Sequence, residues 1–121
     1  MAKKKNTPER RKHQRYQVQE DAFVVLKPEY KKLGHIIDVS MDGLAFRYVY
    51  EKQSSDKSSE LEIFFADNRF HLDKVPCKTI SDFVTNPLIG FRRCSVRFRD
   101  LTDSHRSQLE DFIQNHTLCE V

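Results

Sequence analysis

Six short runs of strand character at close spacing, a switch to helical period near the C-terminal end and polar punctuation between them predict an all-β domain with one C-terminal helix. For so many short strands a six-stranded antiparallel β-barrel is the economical solution, because closure removes exposed edges. Strands followed by a helix exclude a doubly wound α/β fold. The chain has 121 residues, one domain by length, of which 38% are hydrophobic; nine Phe, four Tyr and no Trp suit one small core.

The chain starts with "MAKKKNTPERRKHQR", which offers almost nothing to bury. Lys3, Lys4, Lys5, Arg10, Arg11, Lys12 and Arg15 stand against Glu9 alone, a net +6 in a chain whose total is +3. The basic character is a property of this arm, taken here as residues 1–18 and expected to be flexible; residues 19–121 form the barrel domain with its helix. Such an arm contacts a polyanion or an anionic ligand, or is a solvated tail. It has the charge of a signal peptide but no apolar stretch behind it, and no run approaches the roughly 18 apolar residues of a membrane span, so a cytoplasmic location is expected.

The elements follow in order. "AFVVL" (22–26) is β-branched and aromatic, and Pro28 closes it. "LGHIIDVS" (33–40) and "GLAFRYVY" (43–50) come next, the second alternating Leu44, Phe46, Tyr48 and Tyr50 against Ala45, Arg47 and Val49. "EKQSSDKSSE" (51–60) has no apolar residue and reads as an exposed loop. "LEIFF" (61–65) and "FHLDKVPCKTI" (70–80) are joined by a hairpin turn at "ADNR", and residues 81–90 read as irregular because Pro87 and Gly90 punctuate them. "FRRCSVRF" (91–98) is the last strand, with Cys94, Val96 and Phe98 on one face and Arg93, Arg97 and Arg99 on the other. From 101 onward Leu101, His105, Leu109, Phe112, Ile113 and His116 recur at spacings of three and four, which predicts a helix over about 103–117 capped by Thr102 or Asp103.

Few constellations carry chemistry. Cys77, Cys94 and Cys119 are odd in number and far apart, and the five His are scattered, so neither a disulfide framework nor a metal site is expected. Ser40 has no His near it in sequence and the acidic residues form no recognisable pair, so no enzyme is expected. Two clusters remain. In the arm, Arg11 and Arg15 are four apart, on the same face of a helix or of an extended chain, so their guanidinium groups can converge. Between the second and third strands lies "DVSMDG", where Asp38 and Ser40 project from one face while Val39 points to the core. Ile36 would then share that outward face, which simple alternation does not explain. Gly43 can adopt a backbone conformation closed to other residues and leaves room for a ligand, although Asp42-Gly43 is also an ordinary hairpin signal.

An RxxxR arm followed after about twenty residues by DxSxxG between two strands, in a chain of this length and element order, resembles the PilZ domain family. The resemblance covers nearly the whole chain and extends to "CSVRFRDLTDSHRSQLEDFI", which looks like the family's last strand and closing helix. It implies a six-stranded barrel and a bacterial cytoplasmic receptor for cyclic di-GMP, without a further cofactor. By motif, Arg11 and Arg15 would clamp phosphates and guanine edges, while Asp38, Ser40 and Gly43 would seat a guanine against the barrel. Arg10, immediately before the motif, implies a contact to a second, stacked ligand molecule, or is another solvated charge. The chemistry agrees: arginine bonds a phosphate bidentately or reads the O6/N7 edge of guanine, and a carboxylate accepts from guanine N–H donors.

Ordering about six arm residues costs roughly 6–12 kcal/mol, against about 1.5–3 kcal/mol for each charge-assisted hydrogen bond. Four or five bonds would therefore fasten the arm, making binding a disorder-to-order switch. The expected output is a new surface shown to a protein partner in motility, adhesion, biofilm formation or polysaccharide export. The alternatives are a PilZ-fold adaptor, as in type IV pilus assembly, that ignores nucleotide, and a nucleic-acid binder using the basic arm. The outer helix face or the barrel edge could each support a homodimer.

Overall fold

Residues 14–18, 21–27, 32–49, 59–67 and 70–120 are described in the computed structural model; Arg10, Arg11 and residues 51–58 of the expected loop lie outside them. Among the described residues the order is β1 (Tyr16–Val18), β2 (Ala22–Lys27), β3 (Leu33–Val39), β4 (Gly43–Val49), β5 (Glu60–Phe65), β6 (His71–Asn86), β7 (Phe91–Phe98), α1 (Asp103–His116) and β8 (Thr117–Glu120). Strands β2–β5–β6–β7–β4–β3 pair in that spatial order, and β3 returns to β2 to close the ring. All pairings are antiparallel. The predicted six-stranded barrel with a C-terminal helix is therefore the fold.

The closed wall follows from the alternating runs. Leu44, Phe46 and Tyr48 on β4 face Val96, Cys94 and Arg92 on β7. With Val24, Leu26, Ile36, Val39, Leu61, Ile63, Phe65, Leu72 and Val75, the five residues of these pairs other than Arg92 build one buried core. Helix α1 adds Leu109 and Phe112, both fully buried, and the Phe112 ring stands 5.8 Å from Phe65 and 5.1 Å from Phe70. Thr102 caps the helix: its hydroxyl accepts from the His105 amide at 3.0 Å, and the His105 ring lies 3.4 Å from the Thr102 amide.

Three features depart from the sequence reading. Strand β6 runs on to Asn86, so Pro87 and Gly90 mark the hairpin turn between β6 and β7. Gly90 takes φ 74°, and Asn86 Oδ1 accepts from the Leu88 amide at 3.2 Å. Residues 16–18, read as part of the arm, form β1, which pairs with the second half of β3 where β2 has left it. The chain after α1 then adds β8 to the other edge of β1. Three-residue and four-residue strands carry too little alternation to be read from sequence.

At the opposite end of β3 and β4 from their connecting hairpin, a polar plug ties β4, β6 and β7 to Lys32, the residue before β3. Asp82 receives Tyr48 Oη at 2.6 Å and Arg92 Nε at 3.0 Å, and Lys32 Nζ lies 2.7 Å away. Burial pushes the Asp82 carboxyl up, but the bonds from Lys32, Tyr48 and Arg92 outweigh it and hold the group below the ordinary carboxylate value. Burial, with the bond to Asp82 adding to it, pushes the Tyr48 phenol well above its usual value.

Candidate functional site

Asp38 reaches the barrel's outer surface because β3 carries a bulge. Ile36 faces Phe46 and Asp38 faces Ala45, so Ile37 is the extra residue on β3. Strict alternation from the buried Ile36 would point Asp38 into the core; one inserted residue returns it to the outside and keeps Val39, opposite Leu44, inside. This resolves the conflict over Ile36, which is a core residue, 3% exposed.

Strand β1 brings Arg15 to the same place. Gln17 pairs with Asp38 and Tyr16 with Val39, so Arg15 alternates onto the Asp38 side. Arg15 Nη1 donates to Asp38 Oδ1 at 3.0 Å. Arg93, from the middle of β7, lies on the other oxygen, Nη2 to Oδ2 at 3.5 Å. One carboxylate, its side chain 7% exposed, is thus shared by two guanidinium groups. Arg15 Nε is buried and finds no acceptor among the described residues, an open donor directly beside the pair.

Ser40 and Gly43 form the turn that follows. The Ser40 amide donates to the Gly43 carbonyl at 2.8 Å and closes the β3–β4 hairpin. The Ser40 hydroxyl accepts from the Asp42 amide at 3.0 Å, so at 4% exposure its first duty is to shape the turn. Gly43 is required for a reason other than the one expected. Its φ is not in the left-handed region, but an added Cβ would sit 2.1 Å from the Val96 carbonyl oxygen of β7. The main chain that approaches Gly43 this closely is the protein's own.

Of the six residues singled out from sequence, Arg15, Asp38, Ser40 and Gly43 therefore gather around one hairpin and the strand beside it. The sequence placed Arg93 on an outward face but gave no sign that this face adjoins Asp38. A cleft of about 340 Å³ opens next to the pair, lined by Gln17, Val18, His35, Ile36, Ile37 and Arg47. On the far side of β1, Gln14, Tyr16, Met41, Glu110, Ile113 and Gln114 line a hollow of about 220 Å³ between β1 and α1.

A group of possible metal ligands that the sequence reading did not find, Glu62, His71 and Asp73, assembles on β5 and β6. The Lys27 ammonium lies 2.8 Å from Asp73 and 3.0 Å from Glu62, and His71 contacts Glu62 as well. The hydrogen bonds to Asp73 and Glu62 hold Lys27 in its charged form, so a cation already sits between these carboxylates.

Cations converging on one carboxylate, an open guanidinium donor and an adjoining cleft are equipped to take an anion bearing a hydrogen-bonding base. Solved structures with this fold include a PilZ domain of YcgR from Escherichia coli with c-di-GMP, 15% identical, with a TM-score of 0.68 over 89% of this chain and 92% of that one. They also include YcgR from Escherichia coli in complex with c-di-GMP, 18% identical, with a TM-score of 0.66 over 88% of this chain. The present chain spans 45% of that longer protein. No protein of curated function matches in sequence. The model of the PilZ domain matches residues 9–115, which takes in the arm's RxxxR, the DxSxxG hairpin, all six barrel strands and nearly all of the helix; the chain belongs to the PilZ domain family.

Proposed function

We propose that this chain is a receptor for cyclic di-GMP that binds on the outer face of β3 beside β1 and acts by presenting the occupied surface to another protein. The observation that carries the reading is the Arg15–Asp38 ion pair at 3.0 Å, which brings the second arginine of RxxxR against the carboxylate of DxSxxG. The c-di-GMP bound to the similar YcgR domains supports the choice of ligand. In the proposed complex Asp38 accepts from the N1–H and N2–H₂ donors of a guanine, and Arg15 turns to the phosphate or the O6/N7 edge, using the Nε donor that is open now. Arg10 and Arg11 complete the grip from the arm, with Arg10 directed to a second ligand molecule stacked on the first. Ser40 and Gly43 act by setting the hairpin that aims Asp38.

Arg15 is thus a latch that exchanges one acidic partner for another. The partner acts in motility, adhesion, biofilm formation or polysaccharide export, and the receptor works from the cytoplasm. One observation favours the adaptor reading instead: Asp38 is shared by two arginines of the chain itself. Binding of fluorescently labelled cyclic di-GMP separates the readings. The receptor binds it saturably, excess DNA or RNA does not displace it, and Arg15→Ala weakens it at least tenfold, about 1.4 kcal/mol. Absence of binding by the intact chain would leave the adaptor.

A further inference from the structure

The outer face beside Asp38 carries more positive charge than the fold can use. Arg47 on β4 stands directly opposite Arg93 on β7, a like-charge cross-strand pair, which is an unfavourable arrangement in a sheet. Arg47 forms no ion pair among the described residues, and Arg93 reaches only Asp38, at 3.5 Å, a carboxylate that Arg15 holds more closely. The Arg47 guanidinium is nonetheless kept in place, 5.1 Å over the Phe91 ring. Arg47 also lines the cleft of about 340 Å³ that Gln17, His35 and Ile37 share, within the size range of small-ligand sites. From Ala45, opposite Asp38, to Arg47 is two residues along β4, about 7 Å.

The geometry points to Arg47 and Arg93 as a phosphate-binding pair that belongs to neither sequence motif. This rests on the cyclic di-GMP reading and adds the second half of the grip. The ligand is dianionic; with a guanine at Asp38 and Arg15 on one phosphate, the other phosphate lies over the Arg47–Arg93 pair. Arg93 leaves its long contact with Asp38 for the phosphate, and the like-charge repulsion between β4 and β7 becomes attraction to a shared anion. Two sides then hold the ligand: Arg15 from the β1 side, the Arg47–Arg93 pair from the β7 side.

Calorimetric titration of the full chain with cyclic di-GMP tests the pair. Arg47→Gln and Arg93→Gln each weaken binding five- to tenfold, and the affinity of each falls less steeply with added salt than that of the parent, because one charge contact is gone. Arg106→Gln, on the exposed side of α1, removes the same net charge and leaves both quantities unchanged. Arg47 touches neither Asp38 nor Arg15, so its effect cannot arise from releasing Asp38, and Arg47→Gln carries the test should Arg93→Gln unfold. Normal affinity and salt dependence in both variants, with Arg15→Ala still defective, overturns the pair and leaves the receptor reading standing. A parent chain that takes up no cyclic di-GMP at millimolar concentration removes both.

Discussion

Asp38 and Gly43 show which part of a single residue's setting is local and which part is not. The types and spacing in "DVSMDG" were enough to mark both, since a carboxylate two residues from a hydroxyl on a strand end is a local feature. What turns Asp38 outward is the extra residue Ile37, visible only once β3 is aligned with β4. What forbids a side chain at Gly43 is the Val96 carbonyl, which comes from a distant strand. Arg93 was missed as a neighbour of Asp38 for the same reason: its contact crosses from β7 to β3 over β4. Gly43→Ala therefore strains the β4–β7 seam and not a turn dihedral; it should lower stability by about 1–3 kcal/mol in urea unfolding. An unchanged midpoint would show that the seam relaxes freely and that Gly43 is there for another reason.

Among the elements, those with a full period were legible and those built by pairing alone were not. All six barrel strands and the helix stand within a few residues of their expected bounds, except β6, which the turn residues Pro87 and Gly90 cut short in the reading. Strands β1 and β8 are recruited by neighbours: β1 by the free stretch of β3, β8 by β1. Thr117, expected as the last helical residue, instead starts β8, and its hydroxyl donates back to the Ile113 carbonyl at 2.6 Å. The start of α1 is a local device and was read correctly. Thr102→Ala removes the acceptor for the His105 amide and should cost about 1 kcal/mol, seen as a lower thermal midpoint. Ligand affinity should stay the same, because the cap lies outside the Asp38 cluster; a parallel loss of binding would mean that α1 contributes directly to the site.

For the whole molecule, the division between a basic arm and a slightly acidic remainder was legible from composition, but it hides a concentration of charge on the folded part. Asp38 gathers cations on the outer face, and Asp82 gathers them at one end of the barrel. The Asp82 plug should govern acid stability. Because its folded-state pKa is depressed, its contribution is complete above the unfolded value of 3.8 and is lost as pH falls through the lower folded value. Asp82→Asn takes the carboxylate charge away from Lys32, itself 7% exposed, and from Arg92, and should destabilise the barrel by about 3 kcal/mol at pH 7. The gap between parent and variant should narrow as pH drops below 3.8, measured by denaturant unfolding across pH. A constant gap down to pH 2 would mean that Asp82 acts by shape and not by charge.

The plug lies at the far end of β3 and β4 from the Asp38 cluster on the outer face. Arg15 on the β1 side and Arg93 of the barrel wall meet in that cluster at a single carboxylate. The most direct test of that arrangement is calorimetric titration of the intact chain and of Asp38→Ala with cyclic di-GMP, far-UV circular dichroism confirming the same fold in both. Saturable binding to the parent, weakened tenfold or more in Asp38→Ala, is the predicted result; equal binding by the two chains would contradict the account.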